Sequence, residues 1–349
     1  MDTFDIGDRT VGPGEPTYVV AEAGSNHNGS LETAYELIDV AADAGADAVK
    51  FQTFRAEDLY VEDSGGVEYL DDERSIYDII ESMEMPYEWI PDLYDHCGDR
   101  GVHFLSTPFD ERSADHLAEY VPAWKVASYT SSHHPFLRYL ADTDKPVVMS
   151  TGAHDHEEVA ASVEVLKQAG VEALALLHCV AAYPTPLADA NVRVVERLRD
   201  SFGVRSGLSD HTLDPVVAPS AAVALGATIV EKHFTLDKTM EGPDHEFALE
   251  PDELDRMVTA IRETERVLGS GEIRVLDAEQ ELYEKARRGI HAVSDVAVGD
   301  PLTDDDVRVL RPGERDRGLH PRFYDDVVGK VAARDIDSGK GIQWDDLED

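Results

Sequence analysis

Two histidine-containing triplets, Ser209-Asp210-His211 and Glu231-Lys232-His233, combine side chains suited to metal binding and acid–base chemistry. Each triplet ends an apolar run typical of a β-strand, and the alanine-rich segment between them, residues 214–226, has helical length. Strand, helix and strand form a parallel pair whose C-terminal ends lie on one side. We therefore expect the two imidazoles to face each other, where they could hold a divalent metal and leave other coordination positions open. The alternative is that each histidine only caps its strand by hydrogen bonding.

Lysine is rare in this chain, and two of its nine lysines, Lys50 and Lys125, lie inside apolar runs typical of strands. An ammonium group in such a run must point into a polar mouth or be buried at a cost of roughly several kcal/mol. Together with nearby Ser and Thr hydroxyls, two lysines would form a cradle for a small, multiply charged anion such as a phosphate with an adjacent carboxylate. For either lysine alone, the alternative is an ammonium group that extends to the surface.

The elements that must position these residues alternate along most of the chain. Strands are predicted, each before a helical segment, over residues 18–23, 48–51, 103–106, 124–127, 146–149, 173–178, 205–208 and 227–230. Eight strand–helix units in about 250 residues are typical of a (β/α)₈ TIM barrel, an α/β fold whose active site lies at the C-terminal ends of the strands. An open doubly wound sheet is the alternative, but no G-x-G-x-x-G turn follows the first strand.

The segments outside this alternation differ in composition. We expect a polar N-terminal arm over residues 1–17, the catalytic barrel over 18–270, a linker over 271–286 and a small β-rich domain over 287–349. A domain of about 60 residues lies near the lower limit of independent stability. Within the barrel, the long and charged segment 55–82 is expected to cover the mouth or to form a short excursion.

The charge balance limits the partners. The chain has 72 Asp and Glu residues against 31 Lys and Arg residues, for a net charge of −41. Nucleic acid and anionic membrane surfaces are therefore excluded as partners. An acidic coat suits a cytosol rich in salt, where screening weakens self-repulsion. Two distant cysteines, no signal peptide and no long apolar run favour a reducing cytoplasm.

Several of these segments together resemble the sialic acid (N-acetylneuraminate) synthase family, in order from about residue 18 to the end. The motifs are residues 21–29 (AEAGSNHNG), 50–53 (KFQT), 106–109 (STPF), 124–128 (WKVAS), 150–152 (STG), 183–186 (YPTP), 207–212 (GLSDHT) and 231–235 (EKHFT). The tail, with residues 288–290, 310–313 and 328–330, resembles the small antifreeze-like (SAF, β-clip) domain of that family.

The resemblance implies a carbon–carbon bond-forming transferase that condenses phosphoenolpyruvate with N-acetylmannosamine or a related 2-acetamido sugar, giving a nine-carbon ulosonic acid and phosphate. It implies that His211 and His233 bind a divalent metal, commonly manganese with magnesium or cobalt as alternatives, which polarises the sugar aldehyde. Glu22 matches a position that handles proton transfer. Implied phosphoenolpyruvate contacts are Lys50, Thr107, Lys125, Ser128, Ser150 and Ser209, and implied sugar contacts are Gln52, Tyr183, Asp244 and Arg311.

One segment departs from the pattern of the family. Residues 180–182 (VAA) precede Tyr183, where family members usually carry Asn, Thr or Ser, so a polar contact to phosphoenolpyruvate is missing or replaced. The resemblance also implies a domain-swapped homodimer, in which the C-terminal domain of one subunit covers the mouth of the other. In that arrangement Arg311 would reach the acetamido group of the sugar.

Alternatives remain at several points. Glu22 would act as an acid or base, or would only pair with a lysine. The acceptor could instead lead to legionaminic or pseudaminic acid. From other classes, a metal-dependent barrel hydrolase and a binding protein without activity both compete; hydrolases usually have more carboxylate and histidine ligands and no lysine pair. His27 and His245 are expected in loops, and His178 is expected to pack at its strand end.

Overall fold

The structure, a computed structural model, describes residues 2–62 and 74–348. The chain forms two compact units, Met1–Gly269 and Ser270–Asp349. Part of the segment predicted to cover the mouth, residues 63–73, lies outside the described residues.

The first unit is built on eight parallel strands. They are β3 (Tyr18–Gly24), β4 (Ala48–Thr53), β5 (His103–Pro108), β6 (Trp124–Val126), β7 (Val147–Ser150), β8 (Leu174–Cys179), β9 (Arg205–Asp210) and β10 (Ile229–His233), after a short hairpin of β1 (Phe4–Ile6) and β2 (Arg9–Val11). The hydrogen-bonded order is β5-β4-β3-β10-β9-β8-β7-β6, and β5 and β6 also pack side by side. The predicted (β/α)₈ architecture is confirmed.

Helices follow most of these strands. They are α1 (Leu31–Asp43), α2 (Ala56–Leu59), α3 (Ile76–Ser82), α4 (Ile90–Arg100), α5 (Glu111–Leu117), α6 (His134–Ala141), α7 (His156–Gln168), α8 (Val194–Phe202), α9 (Val217–Ala224) and α10 (Pro251–Leu268). All but α2 and α3, which pack against each other in the segment after β4, contribute to the core on the outside of the sheet. Local sequence fixes their ends: the Asp155 carboxylate accepts hydrogen bonds from the first amides of α7, and Pro251 opens α10. None of the described helices is long and apolar enough to cross a membrane.

Apolar residues form two layers because successive residues of a strand face opposite sides. The outer layer fills the space between strands and helices, and the inner layer fills the barrel at the N-terminal ends of the strands. The inner layer includes Phe4, Ile6 and Val11 of the N-terminal hairpin. The segment that we expected to be a polar arm therefore plugs the N-terminal end of the barrel. Its chain reverses at Gly7 (φ 59°), and its few apolar residues, which alternate with polar ones, are buried in the inner layer.

The second unit contains α11 (Gln280–Lys285), which lies in the predicted linker, then β11 (Gly289–Ala292), β12 (Val307–Leu310) and α12 (Tyr324–Val327). Strands β11 and β12 pair antiparallel over a small core that includes Ile290, Val307 and Ile342. Gly318 packs so closely that a Cβ atom there would lie 1.8 Å from the Ile290 carbonyl oxygen, so only glycine fits.

Candidate active site

The C-terminal mouth of the barrel holds a buried network of charged groups. The Lys50 ammonium lies 2.6 Å from Glu22 Oε2 and 3.8 Å from Glu231 Oε2. Lys125 approaches the other oxygen of Glu231 at 3.5 Å. All four side chains are at most 6% exposed, so the two predicted lysines point into the mouth and meet at one carboxylate.

Burial and pairing shift these groups in different directions. Burial raises the pKa of Glu22 to about 7, although the Lys50 ammonium opposes the shift. Burial acts to lower the pKa of Lys50, but the Glu22 and Glu231 carboxylates outweigh it and raise that pKa. Burial lowers the pKa of Lys125, against the attraction of Glu231. Glu22 is thus poised to hold or release a proton near neutral pH, while Lys50 stays charged.

Hydroxyl groups surround the two ammonium groups. Lys50 donates to Thr107 Oγ1 at 3.1 Å, and Lys125 donates to Ser150 Oγ at 2.9 Å. Ser209 donates to Glu231 at 3.0 Å, which joins it to the same network. Nearby, Ser128 Oγ accepts from the Gly152 amide at 3.0 Å. The residues predicted for phosphoenolpyruvate are therefore gathered around one polar mouth; their roles stay predictions.

Glu231 belongs to one of the two predicted triplets, but no role at the site was predicted for it. It lies directly opposite Ser209 in the register of β9 and β10, and it connects both lysines. Strand alternation alone would have placed its side chain inward, two residues from the metal-binding candidate His233. The sequence did carry that signal.

The predicted histidine pair is present, with the ring centroids of His211 and His233 5.4 Å apart. The Val180 carbonyl oxygen can only accept, so His211 Nδ1, 3.0 Å away, carries the proton and Nε2 keeps a lone pair. Burial lowers the pKa of His211 and holds the pKa of His233 well below its usual range, so both rings are neutral. His233 Nδ1 is buried and has no hydrogen-bond partner among the described residues.

This donor set fits a divalent transition metal. Two neutral imidazoles, one held by a backbone carbonyl and the other with an unsatisfied buried nitrogen, have the chemistry of metal ligands. Over residues 2–62 and 74–348, no group of three or more His, Cys, Asp or Glu side chains is arranged to hold a metal. Within the described part of the chain, His211 and His233 are thus the side chains that would hold such a metal.

The predicted sugar-side residues border the histidine pair, except for one. Gln52 donates to Glu22 Oε1 at 2.9 Å, and the Tyr183 ring lies 4.3 Å from the His211 ring. Asp244 Oδ2 is 3.8 Å from His233 Nδ1, and burial raises the pKa of Asp244 to about 6. Arg311 belongs to the second unit, where it is exposed.

An aromatic residue that was not predicted completes this side. The Phe247 ring lies 5.2 Å from His233 and 5.3 Å from Tyr183, and Phe247 is buried. It comes from the segment that returns over the mouth after β10, and neither its spacing nor its type distinguishes it from a core phenylalanine.

The divergent segment 180–182 acts through its backbone. Besides the hydrogen bond that His211 Nδ1 donates to the Val180 carbonyl oxygen, the Thr185 amide donates to the His211 carbonyl oxygen at 2.9 Å. The loop after β8 thus orients His211 on both its ring and its main chain, whatever side chains residues 181 and 182 carry.

Three further histidines are structural. His178 packs at its strand end, as expected, with Nε2 2.8 Å from the Ala190 carbonyl oxygen. His27 and His245 do lie in loops but are buried. His27 packs 5.5 Å from the Trp89 ring, and burial lowers its pKa to about 4. His245 joins Thr235 and Asn28 at 2.6 and 3.2 Å.

Comparison with known proteins agrees with this geometry. The sequence profile of the NeuB family matches residues 37–273, and that of the SAF domain matches residues 287–348. The chain belongs to the NeuB family. The predicted family, its C-terminal SAF domain and an enzyme of the carbon–carbon bond-forming synthase class are thereby confirmed.

Relatives of this NeuB-family protein span its whole length. The spore coat polysaccharide biosynthesis protein SpsE of Bacillus subtilis is 43% identical over 364 residues, covering 99% of this chain and 98% of its own. The crystal structure of SpsE matches with a TM-score of 0.68, 42% identity and 99% coverage of both chains. Pseudaminic acid synthase of Campylobacter jejuni is 36% identical over 341 residues, 95% of this chain and 96% of its own.

A third relative carries the sialic acid name. The crystal structure of N-acetylneuraminic acid (sialic acid) synthetase from Leptospira borgpetersenii, in complex with citrate, matches with a TM-score of 0.72 at 32% identity. The match covers 81% of this chain and 95% of that one. Relatives named for pseudaminic acid and for sialic acid are thus similar to this protein at 36% and 32% identity.

Proposed function

We propose that this protein is an N-acetylneuraminate synthase, which condenses phosphoenolpyruvate with N-acetylmannosamine or a related 2-acetamido sugar and releases phosphate. The observation that carries the proposal is the pairing, in one mouth, of two buried lysines with two neutral histidines. Lysines and hydroxyls suit an anionic substrate, whereas neutral imidazoles suit the metal that an aldehyde acceptor requires.

The anionic half of the site is preorganised. Two ammonium groups in one buried mouth repel each other: burial lowers the pKa of Lys125, Glu231 opposes that shift, and the charge of Lys50 adds to it. Glu231 lies between them and offsets that repulsion before substrate binds. Thr107 and Ser150 hold the two ammonium groups in place. A phosphate and a carboxylate of one small molecule would then meet fixed donors without large rearrangement.

The acceptor half lies beside the histidine pair. A divalent metal held by His211 and His233 would supply Lewis-acid polarisation of the sugar aldehyde. Glu22, with a pKa of about 7 raised by burial, would hold or accept a proton next to the new bond, and Gln52 keeps its carboxyl group in position. Tyr183 and Phe247 place an aromatic wall beside the two histidines.

The proposed reaction balances without a further reactant. C3 of phosphoenolpyruvate forms a bond to the aldehyde carbon, and a water molecule adds at C2. Phosphate then leaves by cleavage of the C–O bond, so the products are a nine-carbon 2-keto acid and inorganic phosphate. Lys50 and Lys125 would hold the anion through both steps.

The acceptor is the finer part of the proposal. N-acetylmannosamine is the leading acceptor, and the sugars that lead to legionaminic or pseudaminic acid are the alternatives within the family. The test is mass spectrometry of products from phosphoenolpyruvate and a panel of 2-acetamido and 2,4-diacetamido sugars, with manganese and high salt. A nine-carbon acid formed from N-acetylmannosamine supports the proposal. Product from diacetamido sugars alone would instead support a legionaminic or pseudaminic acid synthase.

Two controls separate this chemistry from hydrolysis. Phosphate release that needs no amino sugar would identify a hydrolase and overturn the proposal. Lys125→Met should abolish condensation while the variant stays folded, because it removes a cation that faces the anion and leaves the apolar layers intact.

A further inference from the structure

A buried ion pair lies on the outer face of the barrel sheet, which is the face that does not line the mouth. Lys232 and Asp210 are directly paired in the register of β10 and β9, and their Nζ and Oδ2 atoms are 2.5 Å apart. The two side chains are 1% and 3% exposed, in the layer between strands and helices that is otherwise largely apolar. Neither residue faces the substrate mouth, because each alternates with inward neighbours.

The pair is connected to the main chain on both sides of His211. Asp210 Oδ1 accepts from the Thr212 amide at 3.0 Å, and Oδ2 accepts from Thr212 Oγ1 at 2.9 Å. Lys232 also donates to the Thr212 carbonyl oxygen and, at 3.3 Å, to Thr212 Oγ1. Hydrogen bonds between Asp210 and Thr212 thus form a tight turn around His211. Lys232, from the next strand, donates further hydrogen bonds to Thr212 in that turn.

We propose that Asp210, Thr212 and Lys232 form a clamp that sets the spacing of His211 and His233, so that the three act as positioning residues for the proposed metal site. Lys232 directly precedes His233, and Asp210 directly precedes His211. One ammonium group thus ties the backbone beside one histidine to the backbone beside the other. This inference rests on the proposed function, because the histidine spacing matters only if the pair binds a metal.

Stability alone does not account for the clamp. A buried ion pair usually stabilises a fold no better than well-packed apolar residues of similar volume, since both charges lose their hydration. Directional hydrogen bonds, in contrast, fix the orientation of a ligand in a way that apolar packing does not. Other hydrogen bonds position each histidine separately: His211 Nδ1 donates to the Val180 carbonyl oxygen, and the Thr185 and Leu249 amides donate to the His211 and His233 carbonyl oxygens.

The test compares the double variant Asp210→Asn/Lys232→Met with wild type and with Lys145→Met. The double variant removes both charges together, so no buried charge is left unpaired. Lys145 is a matched control, because its ammonium also donates to a backbone carbonyl, that of Val121 at 2.9 Å, but at the opposite end of the barrel. The dissociation constant for Mn²⁺ is measured by calorimetry on the full chain, and the melting temperature is measured without metal.

The clamp predicts that the double variant binds Mn²⁺ about 10- to 100-fold more weakly while it stays folded. Lys145→Met should bind Mn²⁺ as wild type does. Excess Mn²⁺ should restore much of the kcat of the double variant, because the loss is in metal affinity. If the double variant does not fold, Thr212→Val decides, since it keeps the ion pair and removes only the hydroxyl; a weaker but measurable loss of affinity is expected.

Unchanged Mn²⁺ affinity in the folded double variant, or in Thr212→Val if that variant decides, overturns the clamp. A wild-type protein that binds no Mn²⁺ overturns the clamp together with the metal part of the proposed function. A wild-type protein that binds Mn²⁺ but condenses no sugar overturns the proposed function alone, because the clamp is measured by metal binding.

Discussion

The two ends of the barrel are built from the same strands and differ completely in chemistry. The inward residues of the lower layer include Val20, Ala48, Leu105, Ala123, Val148 and Ile229, and two residues further along the chain from these come Glu22, Lys50, Thr107, Lys125, Ser150 and Glu231. A step of two residues along a strand, about 6.6 Å, separates an apolar plug from a charged mouth.

This contrast explains the behaviour of the mouth. The apolar layer and the N-terminal hairpin close the barrel from below, so the charged groups face an interior without bulk water on that side. Low local polarity strengthens their mutual attraction and raises the pKa of Glu22 to about 7. The apolar lower layer thus stabilises the barrel and also sets the electrostatic environment of the charged mouth above it. The charged mouth is expected to serve catalysis and to add little to the free energy of unfolding.

The largest effect is expected from His211→Ala in the mouth. Because His211 is one of the two histidines that would hold the proposed metal, its loss should lower kcat/KM by about 10²- to 10⁴-fold, the equivalent of several kcal/mol of transition-state stabilisation. The melting temperature should change little. Steady-state kinetics with manganese test this, and a chelator should abolish the wild-type rate until manganese is added back. Full activity in metal-free protein would contradict the prediction.

The opposite result is expected at the other end from Ile6→Ala. Ile6 is 1% exposed and contacts the lower layer, so its truncation should cost about 2–5 kcal/mol of unfolding free energy. Urea denaturation measures the loss. Val267→Ala is the control, because Val267 is 85% exposed and should change stability by less than about 0.5 kcal/mol. A fall in kcat of folded Ile6→Ala at 25 °C would show that the two ends are not separable.

His27 tests whether burial controls the pKa of a histidine near the mouth, and through it the dependence of stability on pH. Burial lowers its pKa to about 4, so between pH 6.5 and 4 the unfolded chain binds a proton that the folded chain does not. Stability should therefore fall as pH falls through this window, by roughly 3 kcal/mol in total from this group. Urea unfolding of wild type and His27→Gln at pH 7, 5 and 4 measures the difference. Equal pH slopes in the two proteins would mean that His27 becomes charged in the folded state.

Much of the barrel could be predicted from the sequence because its signals are local. Eight apolar runs separated by helical segments define the fold, and Lys50 and Lys125 interrupt two such runs at positions where alternation turns them inward. The hairpin was missed because strands of three residues are too short to show a period, and only burial under the barrel reveals why Phe4 and Ile6 are apolar.

The parts of the site that were missed depend mostly on contacts distant in the chain. Strand alternation turns Glu231 inward, but its partners come from elsewhere: the register of β10 against β9 brings Ser209 to it, and the two lysines reach it from β4 and β6. Phe247 reaches the mouth only because the segment after β10 folds back. The Val180 carbonyl acts through the backbone, which a side-chain motif does not record.

A smaller effect is expected from Arg311, the residue predicted to reach the mouth of a second subunit in a dimer. If Arg311 binds the acetamido group, Arg311→Ala should raise the KM of the sugar about 10-fold or more and leave that of phosphoenolpyruvate nearly unchanged, as expected for loss of a charged hydrogen bond. Arg308→Ala is the control, since Arg308 is exposed on β12 of the same unit. Steady-state kinetics with each substrate varied in turn give both constants.

Mixing two inactive proteins decides which subunit provides the arginine. In a domain-swapped dimer, a heterodimer of His211→Ala and Arg311→Ala subunits has one mouth that carries both groups, so activity partly returns. No recovery, with subunit exchange shown separately, would place Arg311 in its own subunit's mouth or outside the mechanism.

The smallest effect for each charged group is expected from salt. Salt should screen the exposed carboxylates of the surface but not the buried charges of the mouth. At a net charge of −41 the exposed carboxylates repel one another, and this repulsion weakens as the Debye length falls to about 3 Å near 1 M salt. The melting temperature should therefore rise from low to molar potassium chloride. The Lys50–Glu22 pair is at most 3% exposed and is screened far less, so Lys50→Met should lower the whole curve without changing its slope. A flat wild-type curve would mean that the acidic coat is not a salt adaptation. A slope that changes in Lys50→Met would mean that salt reaches the mouth, and the separation between exposed and buried charges would then fail.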